Sequence, residues 1–236
     1  MAEMDQGPGT PLHDFKTYLI GWIIMLTAMM LPSEMQYIKV HNRLREKELT
    51  DENKNIKLFF YTVIFIIGYG VAWILYGSLA FLLDSLLRMS DLEFIAWDKA
   101  GPIISGTILL TAAAYQVSPL KYACLTHCRL PINFFARHWH VNYPGVLYTG
   151  VLHGIICVMC CWALMAVMFA VGAMNLIWMG ILTLLMFSEK IFPFGHKLTI
   201  PIAVFLGVVG IWIMVSPDTV PYLTNPLNYQ HTIHHH

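Results

Sequence analysis

One apolar stretch in the middle of the chain carries side chains that can bind a transition metal. His153 is followed by Cys157 and Cys160, then by Cys161 and Met165. With about 100° between successive residues of an α-helix, Cys157 lies about 40° to one side of His153 and Cys160 about 20° to the other. Imidazole with soft sulfur is the ligand set that selects copper(I) or zinc over magnesium or calcium. The spacing therefore predicts a metal site on one face of a helix.

Packing is the alternative explanation for each separate sulfur atom. Cysteine is among the most buried residue types, and methionine fills gaps in apolar cores. The imidazole of His153 favours a functional site, because an ionisable group inside a membrane span is costly and is usually retained for a function. We therefore expect metal binding by the group as a whole.

A second group of possible ligands precedes the first. Cys124 and Cys128 are four residues apart with His127 between them, so one helical turn places all three at neighbouring positions. The spacing alone is weak evidence for a zinc site, because such motifs normally need a second pair of ligands. The stretch that begins at His153 could supply that second set.

Two carboxylates stand at the ends of apolar segments. Glu34 follows Pro32, which is expected to kink or end the first helix, and Glu189 closes a later segment. Either carboxylate needs a partner if it is buried; for Glu189 the candidates are Lys190, Arg129 or a metal. For Glu34 the alternative is that the side chain reaches the membrane surface.

Composition places the chain among membrane proteins. Of its 236 residues, 57% are hydrophobic and only 12% are charged. A formal net charge of zero gives no indication of a nucleic-acid partner. We predict an all-α, polytopic helical bundle that forms a single transmembrane domain over residues 1–236. Six segments are long and apolar enough to cross a bilayer, at about 15–38, 56–83, 101–117, 144–171, 173–192 and 197–215.

The distribution of positive charge predicts the orientation of these spans. Most lysines and arginines fall between spans one and two, three and four, and five and six, and cytoplasmic loops carry that excess. We therefore expect a multi-pass protein of the plasma membrane, with the lipid bilayer as its surroundings and both termini outside. The polar, acidic first residues predict no cleavable signal peptide.

Several motifs resemble those of the predicted metal-binding integral membrane proteins, a family classed as a domain of unknown function. The motifs are Ala28–Pro32, Tyr115–Pro131, His153–Met165, Gly172–Asn175 and Glu189–Lys190. The most specific is the block that reads His-Gly-x-x-Cys-x-x-Cys-Cys-Trp-x-Leu-Met. The resemblance implies a helical membrane fold and a metal-related role, without an established reaction.

The preferred hypothesis is copper(I) handling, meaning binding, transfer or transport, with zinc as the other metal. The candidate ligands are His153, Cys157, Cys160, Cys161, Cys124, His127, Cys128, Met29, Met165, Glu34 and Glu189. Met29 and Met165, with Met25 and Met168, would form a weaker thioether path. We do not expect the protein to be an enzyme by itself.

Two other functions stay open. The protein could be an accessory subunit of a larger membrane complex, such as a copper-dependent membrane monooxygenase or oxidase, or it could form a homo-oligomer. A membrane thiol oxidoreductase using Cys157 and Cys160 is the remaining candidate, although these cysteines lie far from the helix end that would lower their pKa.

Overall fold

The computed structural model describes residues 15–49, 53–89, 97–171, 176–192 and 195–216. Throughout these ranges the regular elements are α-helices and none is a strand, which confirms the predicted all-α class. The helices are α1 (Phe15–Glu48), α2 (Lys54–Met89), α3 (Trp97–Gln116), α4 (Pro119–Arg129), α5 (Pro131–His138), α6 (Tyr143–Val171), α7 (Leu176–Ile191) and α8 (Gly195–Val215).

Four helical segments within the described ranges are long and apolar enough to cross a membrane. They are Tyr18–Glu48, Lys54–Leu83, Tyr143–Met168 and Lys197–Val215. A bent pair, Pro102–Gln116 with Pro119–Arg129, turns through 67° and makes a fifth if it is counted as one span. These helices are compatible with a membrane location.

The fifth predicted span, at 173–192, has a shorter counterpart in the structure. Helix α7 contains 16 residues, fewer than the roughly 20 that a bilayer requires. Residues 172–175, which precede it and belong to the predicted motifs, lie outside the described ranges. Helix α1 continues through Pro32 as far as Glu48, so the proline does not end the helix, and a kink at this position stays a prediction.

The described residues form two compact units. The first unit comprises those within Asp14–Leu82 and Ala123–Cys160, and the second comprises those within Leu83–Tyr122 and Cys161–His236. The single transmembrane domain over residues 1–236 stays a prediction.

In the first unit, α2 and α6 approach closely because glycines face the opposing backbone. A Cβ at Gly150 would lie 2.3 Å from the carbonyl oxygen of Phe65, and one at Gly68 would lie 2.4 Å from that of Leu147. Gly154 continues this seam on α6, since a Cβ there would lie 2.8 Å from the carbonyl oxygen of Tyr69. Small residues at a helix interface permit such contact between backbones.

Helix α1 is held to α2 by hydrogen bonds from one indole and one phenol group. Trp22 Nε1 donates a hydrogen bond to the Trp73 carbonyl oxygen at 3.1 Å, and Tyr18 Oη donates to that of Gly77 at 3.0 Å. Each bond satisfies the polar atom of an aromatic side chain that is otherwise buried. These contacts fix the register of α1 against α2 in the first unit.

The C-terminal half of α1 is anchored by a buried arginine. The Arg45 guanidinium donates to the carbonyl oxygens of His140 at 2.7 Å and Val141 at 3.3 Å. Its carbon atom Cζ lies 4.3 Å from the ring centre of Tyr61 and 4.4 Å from that of Trp139. Cation–π contacts of this kind stabilise a charge that has lost its water. They hold the connection between α5 and α6 against α1.

In the second unit, α3 and α8 also meet at glycines. A Cβ at Gly106 would lie 2.8 Å from the carbonyl oxygen of Gly210, and one at Gly210 would lie 3.1 Å from that of Gly106. This reciprocal contact brings the two helix backbones close together at these two positions.

Replacing Gly150 by alanine tests the seam between α2 and α6. The new Cβ would overlap the Phe65 carbonyl oxygen, so a helix must shift, and we expect the free energy of unfolding to fall by about 1–3 kcal/mol. Thermal unfolding in detergent micelles, followed by circular dichroism, measures this loss.

The matched control is Gly70→Ala, because a Cβ at Gly70 meets no atom within 4 Å. Alanine favours the helix over glycine, so the midpoint of this variant should stay equal to the wild type or rise. Equal midpoints for Gly150→Ala and Gly70→Ala would show that the glycine seam does not limit the packing.

Candidate metal centre

Three thiols come together on one turn of α6. The sulfur atoms of Cys157, Cys160 and Cys161 all lie within 4.8 Å of one another, and all three residues are buried. Residues at positions i, i+3 and i+4 share one helix face, so this grouping follows from the local geometry of a single continuous helix. The thiols are close enough to bind one soft metal ion together.

A fourth thiol reaches this group from a different helix. Cys128, near the end of α4, has its Sγ atom 3.5 Å from Cys160 Sγ, and both belong to the first unit. The side chain of Cys128 is buried. Sulfur atoms from two helices of the first unit therefore lie in contact.

A carboxylate and an imidazole lie at the other end of the thiol group. Glu34 Oε2 is 2.5 Å from His153 Nε2, and Glu34 Oε1 is 3.5 Å from Cys157 Sγ. Only 5% of Glu34 and 1% of His153 are exposed. Both side chains are thus buried within the first unit.

The hydrogen bond to Glu34 leaves one imidazole nitrogen available as a donor atom. Within the described structure, His153 Nδ1 is buried and has no hydrogen-bond partner. An ionised carboxylate at Nε2 favours the tautomer that carries its proton there, which leaves the lone pair on Nδ1. Histidines that bind metals commonly donate their other N–H to a carboxylate in this way.

Aromatic rings enclose the imidazole of His153. The ring of Tyr37 stacks on it with 3.8 Å between centroids, and that of Phe134 meets it edge-on at 5.4 Å. The rings of Phe65 and Tyr69 lie at 6.0 Å and 5.7 Å. Such walls exclude water, which strengthens the interaction between the imidazole and the carboxylate.

Two tyrosines contribute polar contacts that the sequence analysis did not include. Tyr69 Oη lies 3.3 Å from Cys157 Sγ, and Tyr37 Oη donates to the carbonyl oxygen of His127 at 2.5 Å. Tyr37 follows Glu34 by three residues on α1, a spacing that places both on one helix face. That spacing was a signal for Tyr37, whereas nothing in α2 distinguished Tyr69 from its other aromatic residues.

Two of the predicted ligands have surroundings unlike those of the thiol group. The imidazole of His127 is exposed, and its Nδ1 lies 2.9 Å from the carbonyl oxygen of Ala123 in the same helix. Cys124 is partly exposed. Of this second motif, Cys128 alone has a described contact with a cysteine of α6.

The methionines of the predicted thioether path are all buried. Met25 and Met29 lie on α1, while Met165 and Met168 lie on α6 beyond Cys161. Met165 follows Cys161 by four residues, so it continues the face that carries the thiols. Their role as ligands stays a prediction.

Glu189 has protein partners in the second unit. Its Oε2 accepts a hydrogen bond from Lys121 Nζ at 2.7 Å, and its Oε1 accepts one from Gln116 Nε2 at 2.8 Å. The Lys121 ammonium also donates to Gln116 Oε1. The described ion-pair partner is therefore Lys121, a lysine in the first turn of α4, and not one of the two cations considered from the sequence. That Glu189 binds a metal stays a prediction.

Comparison with known proteins identifies the family. A protein-family model described as PpoB2, copper chaperone, matches residues 19–213, which is most of the chain. The matched range includes the thiols of α4 and α6 and the Glu34–His153 pair. No curated protein and no solved structure matches the chain.

Replacing Lys121 by methionine tests the buried ion pair of the second unit. The change leaves the Glu189 carboxylate buried without its cation, so we expect the free energy of unfolding to fall by about 3–5 kcal/mol. The double variant Lys121→Met/Glu189→Leu should recover most of that loss, because an apolar pair needs no compensation.

Denaturant titration in detergent micelles gives both values. Lys39→Met serves as the control, since Lys39 is an exposed lysine of α1, and it should match the wild type. A Lys121→Met protein as stable as Lys39→Met would contradict the importance of the pair.

Proposed function

The chain belongs to the PpoB2 copper chaperone family, and from this premise we propose that it binds copper(I) inside the membrane and passes it to a copper-dependent protein. The observation that supports the proposal most directly is the meeting of Cys128 with the thiols of α6. Copper(I) is a soft ion that prefers thiolate and thioether ligands. Cys157, Cys160 and Cys128 are the ligands we assign to the ion.

The distances among these sulfurs fit one ion rather than several. Cys128 Sγ is 3.5 Å from Cys160 Sγ, and Cys157 Sγ lies within 4.8 Å of Cys160 Sγ. Since all three residues are buried, the ion would be shielded from water. Cys161 offers a further sulfur on the same turn. Zinc accepts similar ligands, so the choice of copper rests on the family and on the abundance of sulfur.

Glu34 and His153 would control the protonation of the site. A thiol must lose its proton to bind a metal, and Glu34 Oε1 is placed 3.5 Å from Cys157 Sγ to receive it. The same carboxylate orients the imidazole of His153 through its second oxygen. Tyr69 Oη, 3.3 Å from Cys157 Sγ, can donate to the resulting thiolate.

Release requires ligands weaker than thiolates. The buried thioethers of Met25 and Met29 on α1, and those of Met165 and Met168 on α6, would supply such ligands. A conducting path needs sites from which the ion can leave. We further propose that the protein resides in the plasma membrane with both termini outside. It would act there as a homo-oligomer or as an accessory subunit of a copper-dependent membrane oxidase or monooxygenase.

Purified protein should retain about one equivalent of copper per chain when it is prepared under reducing conditions from copper-replete cells. The double variant Cys157→Ser/Cys160→Ser should lose this copper, because hydroxyl groups are poor ligands for a soft ion. Elemental analysis by mass spectrometry measures copper and zinc in the same sample.

Met159→Leu is the matched control for this experiment. Met159 belongs to the same helix and also carries sulfur, but its side chain lies on the exposed face. Its copper content should equal that of the wild type. Wild-type protein that stays free of copper and also fails to take it up on reconstitution would contradict the proposed function.

Replacing Glu34 by glutamine should weaken copper(I) binding by about 10–100-fold, the usual effect of losing a group that orients a metal ligand. The amide keeps the size of the side chain but cannot take the thiol proton. Competition with a coloured copper(I) chelator gives the affinity.

Glu46→Gln provides the comparison for this variant. Glu46 is an exposed carboxylate of α1 that pairs with Lys54 at 3.3 Å. This variant should bind copper as the wild type does. If both variants had wild-type affinity, Glu34 would have no part in the site.

A further inference from the structure

Two of the thiols in the first unit are arranged for a reaction with each other. Cys128 and Cys160 come from α4 and α6, and their Sγ atoms are 3.5 Å apart. The thiols of Cys157, Cys160 and Cys161 are also close, but they share one helix. Residues three or four apart on a helix have Cβ atoms about 5–6 Å apart, whereas a disulfide needs about 3.5–4.5 Å. Geometry thus favours a bond between helices.

We propose that Cys128 and Cys160 form a reversible disulfide that switches the protein from a copper-binding to a copper-releasing form. The effect on copper binding rests on the proposed function, while formation of the disulfide depends only on the contact between the two thiols. The oxidant is a peroxide, and the reductant that reverses the reaction is a small thiol.

The reaction balances with hydrogen peroxide as the oxidant. The Cys128 thiolate, the more exposed of the pair at 8% against 2%, attacks one peroxide oxygen and becomes a sulfenic acid, and the released hydroxide takes up a proton to form water. The Cys160 thiolate then attacks the sulfenic sulfur, forms the S–S bond and expels a second hydroxide, which is protonated to water. Two thiols and one peroxide thus give one disulfide and two waters.

Oxidation removes two of the three sulfurs assigned to copper(I). Cys157 remains with the imidazole of His153, and a disulfide sulfur is a poor ligand because the thiolate is the form that binds metal. The copper affinity of the oxidised protein must therefore fall. By linkage, bound copper must also protect the two thiols from oxidation, since the ion and the oxidant compete for the same sulfurs.

The test treats the full-length protein in detergent micelles with hydrogen peroxide and maps the disulfides by mass spectrometry of non-reduced peptides. We expect one peptide pair that joins Cys128 to Cys160. Copper per chain, measured after removal of unbound ions, should fall by at least 10-fold, and a small thiol should restore it. Copper-loaded protein should form the disulfide more slowly than copper-free protein.

Two variants separate this pair from the other thiols. Cys161→Ser should still form the disulfide, whereas Cys128→Ser should not. A bond mapped to Cys157 and Cys160 or to Cys157 and Cys161, or oxidation of Cys128 beyond the sulfenic acid without any bond, would overturn the proposal. So would a Cys128–Cys160 disulfide that leaves the copper content unchanged.

The mapping keeps the two proposals distinguishable. If reduced wild-type protein binds no copper, the proposed function fails, and the mapped disulfide still decides the chemistry of the pair. If reduced protein binds copper but peroxide treatment produces no bond between Cys128 and Cys160, the switch fails and copper binding stands.

Discussion

The contact between Glu34 and His153 is the interaction on which the candidate site depends. A carboxylate and an imidazole lie 2.5 Å apart with almost no access to solvent. Removal of charged groups from water is unfavourable unless they are paired with good geometry, and loss of one partner leaves the other buried and uncompensated. The pair therefore joins α1 to α6 and fixes which way the imidazole faces. The position of the thiol of Cys157 relative to the carboxylate follows from the same contact.

The surroundings of this pair explain why its geometry can be held. The glycines of α2 and α6 bring two helix backbones into contact, and Tyr69 stands on α2 beside that seam. Tyr37 stacks on the imidazole and at the same time donates a hydrogen bond to the backbone of α4, next to Cys128. A metal site requires donors held to within a fraction of an ångström. Here rigid aromatic rings and close helix packing provide that support.

Local features of this protein could be predicted from its sequence, and pairings between helices could not. Hydropathy predicted the helical class, and the spacing of His153, Cys157 and Cys160 predicted one helix face, because both depend on neighbouring residues. The partner of Glu189 depends on which faces of α4 and α7 meet, which the sequence does not specify, so Lys121 was not foreseen. A proline inside a long helix can be accommodated by its neighbours, and α1 accordingly continues through Pro32.

The buried Glu34–His153 contact and the buried Lys121–Glu189 ion pair have consequences for how the chain is synthesised. Glu34 precedes His153 by 119 residues, and Lys121 precedes Glu189 by 68 residues. A ribosome delivers the earlier member of each pair long before its counterpart exists. If the chain enters a bilayer during translation, Glu34 and Lys121 must stay near water or beside the insertion machinery until α6 and α7 have been synthesised. The buried charges of α1 and α4 therefore gain their partners only when α6 and α7 have been synthesised.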